Sequence, residues 1–578
     1  MKFINKIYKK SFLALVLAAG ALMSSCTDYL TIIPSNKIVH ENFWQSKDEV
    51  NGMLAHSYIK LISSDAVKRA IVWGEMRADN MTYPANYNTE IKHIVEANIL
   101  DDNSYCKWGI YYEAINYANL VIEYAPLVVD RDPDFTEGDL EVVLGEMYAM
   151  RALCHFYLVR AFRDIPMALV PAANDAELPD YAQVHPLEAL NLIMEDLDRA
   201  ENMVMKSGNY STPASNYGRI TKNAVLAIKA DVNLWRAAFA KYYEGTSDLV
   251  AAGDEQKYYD ACVENCADVL ANMDQQILED NKEFGKPAQN FPYNLLQNYG
   301  DEEAKVTDKK STVYDDIFGA KNSQESILEL QIEGDNSTNG KCLGIYSMYG
   351  TEGKPGAAVV PTNFLARFYE TDDLRAYSFT NAKSISAGTS AGSSSEKTDI
   401  CIAKYSAKAS PATDYRKSDE YDANWILYRR TDVMLMMAEA MVTRPSATTD
   451  DFTEAFNIVN AINRRSRMDT TNVKKPLDVS KYQTKESAME LVLAERTREL
   501  SYEGKRWFDL VRKALREGTT NNIKFVADKL DSNSGVVKSK MSTIDGLFFP
   551  IHIDELRYNK NLKQNPAYIN DDESIEMN

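Results

Sequence analysis

Apolar positions recur three and four residues apart over long stretches of this chain, the spacing of one buried helix face. Between Glu146 and Arg163 they place Met150, Leu153, Tyr157 and Ala161 on one side, and Asp164-Ile165-Pro166 ends the pattern as a proline requires. Thr221 stands as a cap before a second such run through Val225, Ile228, Val232, Trp235 and Phe239. The same spacing predicts helices over Asp48 to Leu61, Trp108 to Tyr124, Leu187 to Met205, Tyr258 to Met273, Leu427 to Val442, Asp451 to Arg467 and Lys485 to Tyr502. Alanine and bulky residues alternate along these runs, which lets paired helices approach closely, the packing logic of stacked helical hairpins. No repeat of fixed length accompanies the pattern.

The pattern breaks between 274 and 424. That stretch is rich in Gly, Ser, Asn and Tyr, carries a strand-like run from Ser326 to Ile332, and includes the low-complexity segment Ser384 to Ser395. Long loops of this kind tend to be functional or disordered. The chain therefore divides into a leader at 1–25, helical parts at 26–273 and 425–578, and a loop-rich region at 274–424 that is expected to face a ligand.

The leader changes the picture of where the protein works. Lys2, Lys6, Lys9 and Lys10 precede an apolar run from Phe12 to Met23, too short to span a bilayer, and Ser24-Ser25 stand directly before Cys26. This is the layout of a lipoprotein signal, with Cys26 as the acylated residue. At about 0.8 kcal/mol per buried methylene, several acyl chains would hold the protein to a membrane effectively permanently. Formal net charge over the 578 residues is −20, and the leader contributes only lysines to it, so the remainder is more acidic still. Such a surface disfavours nucleic acid and anionic headgroups as partners. Beyond Cys26 there are six cysteines, too sparse for a disulfide scaffold, and they are expected to be buried small hydrophobes.

Catalytic and metal chemistry find little support. Gly388-Thr389-Ser390-Ala391-Gly392 has the spacing of a nucleophile elbow but lacks the preceding strand and following helix, and reads as loop. Asp130, Asp132, Asp134 and Glu141 echo a calcium loop, yet Phe135 occupies the position of its turn glycine, so an acidic turn before a helix is expected. The six histidines are scattered without ligand spacing. The chain is read as a binding protein, not an enzyme, with no cofactor and no metal.

Short motifs distributed over the whole chain carry a resemblance. They include Asn42-Phe43-Trp44, Gly74 to Asp79, Ile115 to Asn119, Arg151-Ala152, Gly218 to Lys222, Glu325 to Glu329, Asp432 with Ala438 to Ala440, Asn460 to Arg465, Glu495 to Leu510, Phe549 to Ile551, and Gln564 to Pro566. In these the chain resembles the SusD/RagB family of outer-membrane lipoproteins of the Bacteroidetes. The resemblance implies a mainly α fold, a tetratricopeptide-like helical-hairpin scaffold with a loop-rich second region packed against it. It also implies a cell-surface protein, lipid-anchored in the outer membrane, that captures a glycan for a SusC-like TonB-dependent transporter; peptide capture, as in RagB-like relatives, is the alternative. Glu495, Glu499 and Arg506 are expected to pair along one helix and its exit turn, with Gly504 as the stop.

A glycan offers apolar C–H faces and hydroxyl rims, so its site needs aromatic platforms with polar neighbours. Among 34 tyrosines the informative ones lie in polar loops. Asn80 to Asn88 is such a loop, and it follows the motif where the family places part of its pocket. Tyr83, Tyr87 and Asn88 are the expected contacts, with Arg77 and Asp79 as polar rim. A second cluster, Phe291, Tyr293, Tyr299, Tyr346 and Tyr349, is expected to supply an opposing wall, and Trp73 to be core.

Overall fold

The computed structural model describes residues 43–172, 180–283, 292–299, 309, 311–332, 343–351, 353–361, 363–385, 399–408, 415–417, 421–469, 475–528 and 535–569. Cys26, Phe291, Cys342 and the Gly388 to Gly392 loop lie outside them.

The expected helices form, and they pack in sequence order. Helix α1 (Lys47–Ile62) lies on α2 (Gly109–Tyr124), α2 on α3 (Glu137–Phe162), and α3 on α4 (Pro186–Met203). In turn α4 meets α5 (Lys222–Tyr243), and α5 meets α6 (Asp254–Glu283). The chain then leaves the stack and returns with α7 (Arg430–Thr443) against α6, followed by α8 (Thr449–Arg465), α9 (Lys485–Leu500) and α10 (Arg506–Glu517), which closes back on α5. Capping explains the starts. Ser46 and Asp451's partner Thr448 each form a capping box, and Thr136 with Asp139 starts α3 nine residues before the apolar pattern becomes regular.

Helix α3 is apolar and long enough to cross a membrane by composition, but 78% of its apolar window is buried inside the protein, so it is the core spine of the stack. The acidic turn before it holds no ion-like arrangement: the Asp132 carboxylate accepts the backbone N–H groups of Lys47 (2.7 Å) and Asp134 (3.0 Å). Among the described residues no three His, Cys, Asp or Glu side chains gather as a metal site. Cys106, Cys154, Cys262 and Cys266 are free and buried, and Cys401 is buried.

One expected helix is corrected. The run from Leu427 begins as strand, because Trp425–Arg429 pairs antiparallel with Ser326–Leu330 and every residue of both strands is buried. A fully buried strand and a buried helical turn share the same apolar run, and only the partner strand decides. This two-stranded sheet ties the loop-rich region to the helical stack.

Candidate functional site

The Gly74 to Asp79 motif is built to hold the loop that follows it. After the helix Ser64–Ile71 the chain enters a wide turn at Val72–Met76, where an ideal Cβ on Gly74 would stand 1.8 Å from the Gly504 carbonyl oxygen. Only glycine allows that backbone contact. Gly504 itself has φ +71, and a Cβ there would press within 3.0 Å of the Ala70 carbonyl oxygen. The buried Glu75 carboxylate accepts the backbone N–H groups of Tyr502 and Gly504 and the Asn80 side-chain amide. Burial outweighs those donors and pushes the Glu75 pKa up to about 7.

Arg77 and Asp79 do not form the polar rim expected of them. The Arg77 guanidinium is fully buried, donates to the carbonyls of Leu547 (2.7 Å) and Gly546 (2.6 Å), and lies 4.5 Å over the Trp507 ring. Asp79 makes a two-pronged bond with Arg506, 2.9 Å from Nε and 3.0 Å from Nη2. Both side chains fasten the start of the loop to the C-terminal part of the chain. Their partners lie more than four hundred residues away, so nothing near them in sequence marks the role.

Tyr83, Tyr87 and Asn88 emerge where this anchoring ends. Thr82 pairs antiparallel with Val359, which lays the loop against the loop-rich region. The half-buried Tyr83 donates its hydroxyl to Glu96 at 2.7 Å. Its ring stands edge-to-face with Tyr87, centroids 5.2 Å apart, and the Lys92 ammonium lies 4.8 Å over Tyr87. Tyr87 is 44% exposed, one of few large aromatic rings open to solvent on a braced segment. Asn88 is exposed but its side chain caps the helix Thr89–Val95, accepting from the Ile91 N–H at 3.1 Å.

The second aromatic cluster does not form one wall. Tyr349 is wholly buried and donates to the Tyr502 carbonyl at 3.0 Å, bracing the same turn that Glu75 clamps; it is core, because a fully enclosed ring cannot meet a ligand. Tyr346 is half-buried against Tyr421, centroids 5.5 Å apart. Tyr299 is 57% exposed and donates to Asp316 at 3.1 Å. Tyr293 donates to Glu454 at 2.8 Å and lines a cleft of about 440 Å³ with Gln297, Asn457, Asn460 and Arg464. Asn457, Asn460 and Arg464 lie along one face of α8, the last two within the Asn460 to Arg465 motif. Trp73 is core as expected, its ring 5.0 Å from Tyr111.

The charged block near the C terminus also departs from the expected pairing along one helix. Glu499 is buried among Arg375 (3.1 Å), Arg429 (2.8 Å) and Arg465 (2.9 Å), three guanidiniums from three other elements. Glu503 binds Arg429 and Lys404, each at 2.7 Å, while Glu495 binds Arg375 at 2.7 Å. Burial works against the Glu499 charge, and the arginines still hold its pKa well below the usual carboxylate range. Helix α9 stops at Leu500, before Gly504, and Tyr502 takes a left-handed φ of 70°. These groups are a structural clasp between the two regions.

The fold agrees with what the chain is similar to. Residues 374–568 match a family model described as the SusD family, and residues 28–234 match one described as starch-binding associating with outer membrane. The chain belongs to the SusD/RagB family. A SusD-like protein from Formosa agariphila is 26% identical over 577 residues, covering 98% of this chain and 100% of that one. Among solved structures, a SusD homolog from Bacteroides thetaiotaomicron superposes with a TM-score of 0.64 at 19% identity, over 91% of this chain and 100% of that one. The surface glycan-binding protein A from Bacteroides fluxus does so with a TM-score of 0.59 at 20% identity, over 90% and 99%.

Proposed function

We propose that this protein is a non-catalytic, cell-surface glycan-binding lipoprotein that captures oligo- or polysaccharide and delivers it to a SusC-like TonB-dependent transporter. The observation that carries this reading is the Tyr83–Tyr87 pair, an exposed ring held edge-to-face by a second ring whose hydroxyl is itself fixed. A ring so held loses little rotamer freedom on binding, and a pyranose C–H face can lie on it while hydroxyls meet Lys92 and the Asn86 and Asn88 amides. The description of one matching family, starch-binding and associating with the outer membrane, and the likeness to the surface glycan-binding protein of Bacteroides fluxus support the ligand class and the location. Acylation at Cys26 would confine the binder beside its transporter and raise their effective concentration.

The test is calorimetric titration of a soluble form beginning after Cys26 with neutral and acidic glycans and with oligopeptides. Glycan binding that weakens in Tyr87→Ala establishes the reading; binding of peptides alone replaces it with peptide capture.

A further inference from the structure

A separate concavity lies between three elements that the tyrosine patch does not use. Its walls are the 207–217 segment, the C-terminal turns of α6, and the entry to the strand Ser326–Leu330, and it encloses about 350 Å³, at the lower end of ligand pockets. The floor is apolar, with the buried Met273 and Ile327. Around it stand the half-buried Tyr217 phenol, the exposed Asp280 carboxylate, and the Gln276 and Gln324 amides. Gly208, at φ +87, lets one wall close on Gln276, whose Oε1 an added Cβ would meet at 2.0 Å. Gln276 Nε2 in turn donates to Asp280 at 2.8 Å, which aims the carboxylate.

This set has a definite selectivity. A carboxylate accepts two O–H donors of a vicinal diol, the amides both donate and accept, and the phenol edge and apolar floor suit a ring's C–H face. Among the described residues no lysine or arginine lines the cleft, so a uronate or sulfated sugar would lose its solvation beside Asp280 without gaining a partner there. Burial, and the charges of Asp280 and Glu329, raise the Tyr217 pKa, which keeps its hydroxyl a donor.

We propose that this cleft is a second, independent binding site for a neutral sugar unit. The proposal rests on the glycan reading above, and its test separates the two. Wild type, a Tyr83→Ala/Tyr87→Ala variant, and that variant carrying Tyr217→Phe and Asp280→Asn are each titrated with neutral α- and β-glucan, mannan and xylan oligosaccharides. Tyr217→Phe removes only a hydroxyl and Asp280 is exposed, so melting curves should be unchanged. Residual binding to the aromatic variant that falls at least tenfold on adding the cleft substitutions supports the site. Binding by wild type that vanishes in the aromatic variant overturns the cleft and leaves the function standing; residual binding indifferent to the cleft substitutions also overturns it. Wild type that binds none of these sugars overturns the cleft, and the glycan reading falls with it only where acidic glycans also fail to bind.

Discussion

Asp79→Ala tests whether the binding loop is held by a buried charge pair. The Asp79 and Arg506 side chains are 7% and 6% exposed, and the bond is bidentate at 2.9 and 3.0 Å. Burial opposes the Arg506 charge and Asp79 outweighs it, so the guanidinium sits above its ordinary pKa. Removing Asp79 leaves that cation enclosed, and its Nη1 already lacks a hydrogen-bond partner. The nearest other relief is loss of the 3.8 Å contact between Asp79 and Arg367, a side chain 63% exposed that solvent readily takes back. Stranding a buried charge costs about 3–5 kcal/mol, whereas losing an exposed pair costs about 0.2–1 kcal/mol. Urea unfolding followed by near-ultraviolet circular dichroism gives the difference from the midpoint and slope. Arg506→Met should cost a similar amount, and Asp79→Ala with Arg506→Met together should cost less than the two single losses added. A cost for Asp79→Ala below about 1 kcal/mol, or strict additivity in the double variant, would refute the reasoning.

Three further outcomes follow from the same geometry. Because the folded Glu75 pKa is about 7 against an ordinary 4.5, the native state holds the proton more tightly and Glu75's contribution to stability falls as pH rises through that interval. Glu75→Gln should therefore gain roughly 3 kcal/mol on wild type between acid and mildly alkaline buffer, and parallel pH profiles would contradict it. Gly74→Ala drives a methyl into the Gly504 carbonyl and should cost about 3 kcal/mol in the same assay. Cys106, Cys154, Cys262 and Cys266 should resist iodoacetamide until denaturant is added, as mass spectrometry can read peptide by peptide.

The helical stack was legible because period and caps agree, and the errors lie where distant partners decide. The early start of α3 is the local exception, set by the Thr136–Asp139 capping box rather than by the apolar period. Leu427 to Arg429 could not be told from helix without the partner strand. Residue type, together with the family motif that precedes it, singles out the Tyr83–Tyr87 loop, since tyrosines among short polar residues have few ways to be buried, and Tyr87 is indeed exposed. It misjudged Arg77, Asp79 and Tyr349, because polar or amphipathic side chains near a motif look alike whether they face solvent or a partner hundreds of residues on. Asn460 belongs to the family motif and Asn457 does not, and their i, i+3 spacing on one helix face is the available sequence clue to a polar cleft.

The most direct test of glycan capture at the tyrosine patch is a crystal structure of the soluble chain soaked with an oligosaccharide that binds in solution. The account predicts a sugar ring lying against the exposed face of Tyr87, with Lys92 or the Asn86 and Asn88 amides on its hydroxyls. A bound sugar seated only elsewhere, with the Tyr87 face bare, would contradict it.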